Sequence, residues 1–178
     1  MNEEYWKNFY KTHTTREPSS FARFCLKYIN KEVVDVGCGD GRDSYYFAKN
    51  GVYVHGIDKA TKPKKAHNVT FHQTDFRKVE FCKIPVYARF FLHAISGTAV
   101  RKLINKCNSI VMFEFRNTGD VPTIYTNHER NMVDGLNIVE DLRKRGFKIL
   151  WYQLDRGLAK FKGEDPLICR IVARKEHK

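Results

Sequence analysis

One stretch constrains the fold more than any other: Val33-Val34-Asp35-Val36-Gly37-Cys38-Gly39-Asp40-Gly41-Arg42-Asp43. Its β-branched run (Val33, Val34, Val36) has the composition of a buried parallel strand, and it breaks at three glycines spaced two apart. Beyond the break, Tyr46 and Phe47 fall on one helical face and Val52 opens a second strand. Strand, glycine turn, helix and strand make the first half of a nucleotide-binding α/β unit. Ligands of such units sit outside the carboxyl ends of parallel strands. Glycines at that point let the backbone pass close to a ligand with no Cβ between them.

The spacing narrows the ligand. A dinucleotide fingerprint reads G-x-G-x-x-G and a phosphate loop reads G-x-x-x-x-G-K-[ST]. Here the pattern is G-x-G-x-G, with Asp35 two residues before the first glycine and no lysine after the last. It resembles motif I of the class I S-adenosylmethionine (SAM)-dependent methyltransferases, (D/E)-x-G-x-G-x-G. Two further features lie in register. Val52-Tyr53-Val54-His55-Gly56-Ile57-Asp58 is a strand ending in an acid 17 residues after Gly41, and Val69-Thr70-Phe71-His72-Gln73 runs into Asp75-Phe76. The resemblance implies SAM as cofactor. It implies that Asp35, Gly37, Cys38, Gly39 and Gly41 shape the pocket, that Asp58 accepts the ribose hydroxyls, and that Asp75 and Phe76 meet the adenine. The plainer reading of the same residues is a Rossmann strand with a tight turn.

A length of 178 residues suits one domain, with a helical lid over 1–30 and an α/β core over 31–178. No apolar run approaches the ~20 residues that a membrane helix needs. The acidic start Met1-Asn2-Glu3-Glu4 speaks against a signal peptide. The five cysteines (Cys25, Cys38, Cys82, Cys107, Cys169) are scattered and form no C-x-x-C, as expected of reduced thiols in a cytoplasmic protein with no bound metal. A formal charge of +12 attracts polyanions, so nucleic acid is a candidate partner, although no basic arm is present.

Residues 4–29 read as helical, broken at Glu17-Pro18-Ser19-Ser20, with Ser19 or Ser20 as N-cap of the second helix. Before the break, Tyr5, Trp6, Phe9 and Tyr10 form an aromatic stripe expected to pack on the sheet. This extension is similar to the lid of many small methyltransferases, which makes Ser19, Ser20 and Phe21 candidates to touch cofactor or substrate.

The fourth strand ends at the switch point of the fold, where the methyl acceptor belongs. Neither the D/N-P-P-Y of amino-directed nucleic-acid enzymes nor a nucleophilic Pro-Cys occurs there; the sequence offers Tyr87, Arg89 and His93. His93 reads either as a general base or as a helical residue bonded to a carbonyl. The fifth strand, Ser109-Ile110-Val111-Met112-Phe113-Glu114-Phe115-Arg116, places Glu114 and Arg116 on one face. His128 and Arg130 follow, before a helix over 133–144. Together these residues resemble a set of small bacterial-type methyltransferases placed near tellurite-resistance and sugar-modifying enzymes. The resemblance implies an acceptor side lined by Arg89, His93, Glu114, Arg116, His128 and Arg130.

A strand over 146–152, a turn at Glu164-Asp165-Pro166 and a strand over 167–173 close the fold as an antiparallel hairpin. Gly157-Leu158-Ala159 and Glu164-Asp165 either lie near the cleft mouth or serve only as turns. The expected architecture is a Rossmann-like, doubly wound sheet of seven strands, the last antiparallel. The expected function is methyl transfer from SAM to an oxygen or nitrogen of a small anionic acceptor, a sugar- or phosphate-containing metabolite. RNA is the alternative acceptor, and a catalytically silent SAM-binding module is the alternative class.

Overall fold

The computed structural model describes residues 3–12, 17–119, 131–160 and 163–176. The first five strands in the chain run parallel: β1 (Glu32–Val36), β2 (Tyr53–Asp58), β3 (Val69–Gln73), β4 (Val86–Arg89) and β5 (Ile110–Arg116). Then β6 (Phe147–Asp155) and β7 (Ile168–Lys175) complete a seven-stranded sheet in the order β3-β2-β1-β4-β5-β7-β6. β7 runs antiparallel to both its neighbours, as expected for a closing hairpin. The order reverses between β1 and β4, which opens a crevice at their carboxyl ends.

Strand alternation divides the core. Val34, Val36, Val86, Ala88, Val111, Phe113 and Phe115 point to one face, against α4 (Gly97–Lys106) and α5 (Gly135–Lys144). Val33, Tyr87, Met112 and Val172 point to the other, against Phe21 of α2 (Ser20–Cys25) and Phe47 of α3 (Arg42–Lys49). Because side chains alternate with a period of two, Asp35, Arg89, Glu114, Arg116 and Arg170 fall on this second face, where apolar packing gives way to charge. In register, Arg89 stands beside Glu114 and Glu114 beside Arg170.

Capping sets the helix starts. Ser19 caps α2 by accepting from the Ala22 N–H, and Ser96 caps α4, a helix beyond the elements read from the sequence. Asp134 caps α5, so that helix begins at Gly135 and not at 133; Val133 instead bridges Asn117. β6 runs to Asp155, past the expected 152, because β7 pairs with it out to Ile168. Among the described residues no helix is long and apolar enough to cross a membrane.

Candidate active site

The glycine turn shapes the crevice. Gly37, Gly39 and Gly41 all take left-handed φ values (75°, 57° and 80°), which an L side chain adopts only at a cost of about 1–2 kcal/mol. A Cβ at Gly37 would strike the Phe91 ring, and one at Gly39 the ring of Tyr10. The Gly37 N–H donates to the Ile57 carbonyl at 2.7 Å, tying the turn to the end of β2. There Asp58 joins strand and turn: its Oδ2 accepts from the Gly39 N–H at 3.1 Å, and its Oδ1 from the Ala60 and Thr61 N–H groups at 2.7 and 3.0 Å.

Two adjoining cavities open around this turn, of about 240 and 220 Å³, sharing Gly37, Asp58 and Phe91 on their walls. The smaller is lined by Asp75, Phe76 and Arg77. Asp75 caps a short 3-10 turn (Phe76–Lys78), and its carboxylate is gripped by Arg77, which holds its pKa down at about 2. Phe76 is buried and meets Phe91 edge-on, with ring centroids 5.5 Å apart.

Asp35, Cys38, Asp40 and Asp43 line the larger cavity together with Asp58. Asp35 is buried, and that burial pushes its pKa up to about 8 against the opposing hydrogen bond from Ser44 Oγ at 2.5 Å. Burial, reinforced by Asp35 and Asp58, pushes the Cys38 thiol well above its ordinary value, so it is not a thiolate nucleophile.

The aromatic stripe departs from expectation. Tyr5, Trp6, Phe9 and Tyr10 of α1 (Glu3–Thr12) do not pack on the sheet; they line the larger cavity, and no residue of that helix is fully buried. The reason is occupancy: Phe21, Ala22 and Cys25 of α2 and Phe47 of α3 already cover that face of the sheet. Ser19 and Phe21 in turn lie beneath the cavity and are absent from its wall. The backbone N–H and Oγ of Ser19 both donate to the Asp43 carboxylate at 2.8 Å, and Tyr87 OH donates to the same group at 2.8 Å. Phe21 stacks on Tyr87 at 5.6 Å.

Of the residues expected on the acceptor side, Arg89, His93 and Arg116 line the larger cavity. Glu114 lies behind them, wholly buried, and accepts from Arg89 Nε at 2.6 Å. Phe90, after Arg89, is left-handed (φ 55°) yet held there by its N–H bond to the Glu114 carbonyl at 2.7 Å. The chain then enters a 3-10 turn, Leu92–Ala94, that carries His93. Nδ1 of His93 lies 3.2 Å from the Arg116 backbone N–H. A backbone N–H can only donate, so Nδ1 holds the lone pair and the neutral ring carries its proton on Nε2. This bond matches neither reading of His93 outright: the group bonded to Nδ1 is a backbone N–H and not a carbonyl, and the ring stands in a 3-10 turn. Arg116 pairs with Glu164 from the loop before β7. Ala159 and Lys160 line the same cavity, so the loop lies at the cleft. His128 and Arg130 lie outside the described residues.

Three participants were not singled out by sequence reasoning. Asp43 follows the glycine turn with no motif of its own, and the stripe period of Tyr10 points to packing. Arg170 carried a usable signal, a lone charge within the apolar run Ile168-Cys169-Arg170-Ile171-Val172. It donates from Nε to Glu114 Oε2 at 2.6 Å.

Sheet order, the glycine turn beneath the switch point and the acid at the end of β2 together define a SAM-dependent methyltransferase. Solved structures share this architecture. The Burkholderia thailandensis 1,6-didemethyltoxoflavin-N1-methyltransferase, with bound 1,6-didemethyltoxoflavin and S-adenosylhomocysteine, superposes with a TM-score of 0.75 at 15% identity, over 98% of this chain and 87% of that one. A SAM-dependent methyltransferase from Anabaena variabilis gives 0.73 at 14% identity, over 98% and 93%. Magnesium protoporphyrin IX methyltransferase from Synechocystis, with bound S-adenosylhomocysteine, gives 0.66 at 14% identity, over 96% and 83%. No curated protein matches the sequence. The family model described as tellurite resistance protein TehB matches residues 1–142, and the chain belongs to that family.

Proposed function

We propose that this methyltransferase transfers the methyl group of SAM to a small oxyanion-bearing acceptor held by Arg89, His93 and Arg116. One observation carries the reading. Donor-bearing side chains from the end of β4, the turn after it and the end of β5 meet on one cavity wall, and the glycine turn and Asp58 stand on the same cavity.

The residues fit the cofactor. Asp58, on both cavities, offers lone pairs to ribose hydroxyls, and Asp75 with Phe76 borders the smaller cavity, which would take the adenine. When bound, SAM supplies a methyl carbon already activated by its sulfonium. The chain has then to bind, orient and exclude water. Acids on the glycine side suit the positive charge of the cofactor. Guanidinium forks suit the oxygens of an acceptor anion, and His93 in its Nε2-protonated form adds a donor. An acceptor with a ready lone pair needs no base.

The family name joins tellurite, itself an oxyanion, to this class of acceptor. Sugar phosphates and carboxylated metabolites share its chemistry. The test is labelled SAM with tellurite, a metabolite extract and total RNA as competing acceptors. The expected result is label in a small product, a shallow dependence on ionic strength, and an Arg116→Lys variant nearly as impaired as Arg116→Ala, because lysine lacks the planar fork. Label in RNA, with activity falling steeply against salt and an indifferent Arg116→Lys, would assign the +12 charge to a nucleic-acid substrate instead.

A further inference from the structure

Two arginines grip one buried carboxylate, and only one of them reaches the cavity. Glu114 is 0% exposed, and each of its oxygens takes a guanidinium: Oε1 accepts from Arg89 Nε and Oε2 from Arg170 Nε, both at 2.6 Å. The three residues stand side by side across β4, β5 and β7. Arg89 lines the larger cavity, whereas Glu114 and Arg170 do not.

We propose that Arg170 is a positioning residue for the acceptor: it offsets the Glu114 charge, so that Arg89 is held in place by a carboxylate and still presents a net positive field to the cavity. The inference rests on the oxyanion reading above. With Arg89 as its sole partner, Glu114 would form a neutral pair, and an incoming anion would meet a guanidinium whose field is cancelled from behind. Two arginines against one glutamate leave a net charge of one, and in a buried site that charge is weakly screened. Arg89 spends its Nε on Glu114, so its terminal nitrogens are the ones that can meet a ligand.

Arg170 is itself fixed. One terminal nitrogen donates to Ser20 Oγ at 2.7 Å and to the Leu158 carbonyl at 3.1 Å, and its guanidinium lies over the Phe21 ring at 5.3 Å. Thus α2 and the β6–β7 loop, whose Ala159 and Lys160 line the cavity, are tied to the same carboxylate. Arg170 lies on β7, beyond the residues 1–142 that match the family, so this element comes from the closing hairpin.

The test is a calorimetric titration of tellurite into protein saturated with S-adenosylhomocysteine, together with initial rates. Arg170→Gln should weaken tellurite binding by about ten-fold and raise its KM more than it lowers kcat, with S-adenosylhomocysteine affinity unchanged. The double variant Glu114→Gln/Arg170→Gln removes both charges behind Arg89, keeps an amide oxygen for its Nε, and should recover most of the affinity. Equal weakening of the single and double variants makes Arg170 merely structural and overturns the proposal, as does a single variant that binds like wild type. If Arg170→Gln alone fails to bind S-adenosylhomocysteine, the double variant decides: wild-type tellurite affinity upholds the proposal and a ten-fold loss overturns it. If wild-type protein binds neither tellurite nor a sugar phosphate or carboxylate titrated in its place, the oxyanion reading fails and takes this inference with it. That outcome is distinct from a wild type that binds and a variant that matches it.

Discussion

The two sides of the large cavity are built on opposite plans. On the side of β1 and β2, one carboxylate, Asp58, gathers three backbone N–H groups, and the other acids crowd around it. On the side of β4, β5 and β7, guanidinium side chains are paired to buried or half-buried carboxylates: Arg89 and Arg170 to Glu114, and Arg116 to Glu164. The first side is held by the course of the chain, so it depends on glycine and strand ends. The second is held by charges taken out of water, so it depends on every partner being present. A cationic cofactor and an anionic acceptor would each find the opposite charge.

The sharpest way to break this contrast is at Glu114. Its replacement by alanine leaves two buried guanidiniums facing each other and should cost about 3–5 kcal/mol of folding stability. Urea denaturation measures this, and a loss under about 1 kcal/mol would mean that solvent reaches these arginines. On the other side, Asp58→Ala should weaken SAM by ten-fold or more, in line with the about 1.5–3 kcal/mol of hydrogen bonds to a charged group. Calorimetry that finds unchanged affinity would remove Asp58 from the site.

A smaller effect separates the two sides by pH. In the folded chain Asp35 has its pKa raised from 3.8 to about 8 by burial, so its proton is bound more tightly folded than unfolded. Its contribution to stability is therefore full below the unfolded value and is lost as pH rises through the window from about 4 to about 8. A cation bound beside it favours the ionised form. SAM affinity should then climb toward pH 8, by at most about ten-fold per pH unit, and release a proton on binding. Asp35→Asn should flatten that slope; a slope that persists in the variant would assign the proton to another group. Smallest of all, Cys38→Ala should leave turnover within about two-fold of wild type, because burial keeps the thiol protonated. Methyl transfer that disappears while SAM still binds would reopen thiol chemistry.

Much of the cofactor side is legible in the chain because it is local. The glycines at 37, 39 and 41, Asp58 at the end of its strand and Asp75-Phe76 after the next occupy positions dictated by short-range geometry; Gly37, Asp58, Asp75 and Phe76 line the two cavities, and Gly39 and Gly41 complete the left-handed turn. The side built on β4, β5 and β7 is legible only as a set of residue types. Arg89, His93 and Arg116 are on the wall as expected, yet their ion-pair and hydrogen-bond partners come from distant segments: Arg116 meets Glu164 48 residues on, and Glu114 meets Arg170 56 residues on. The stripe at Tyr5, Trp6, Phe9 and Tyr10 has a period that fixes a helix face but not what the face meets.

By itself, then, the sequence determined the strand–turn–helix unit, the cofactor-type glycine turn and the antiparallel close of the sheet. Each follows from backbone conformation and side-chain periodicity within a few residues. Only the tertiary structure decided that α1 roofs a cavity, that Ser19 and Phe21 underlie it, that His93 presents Nε2–H, and that Arg170 balances Glu114. Each of those depends on which strands become neighbours, and burial then makes every charge on the shared face answer to another brought in from far along the chain.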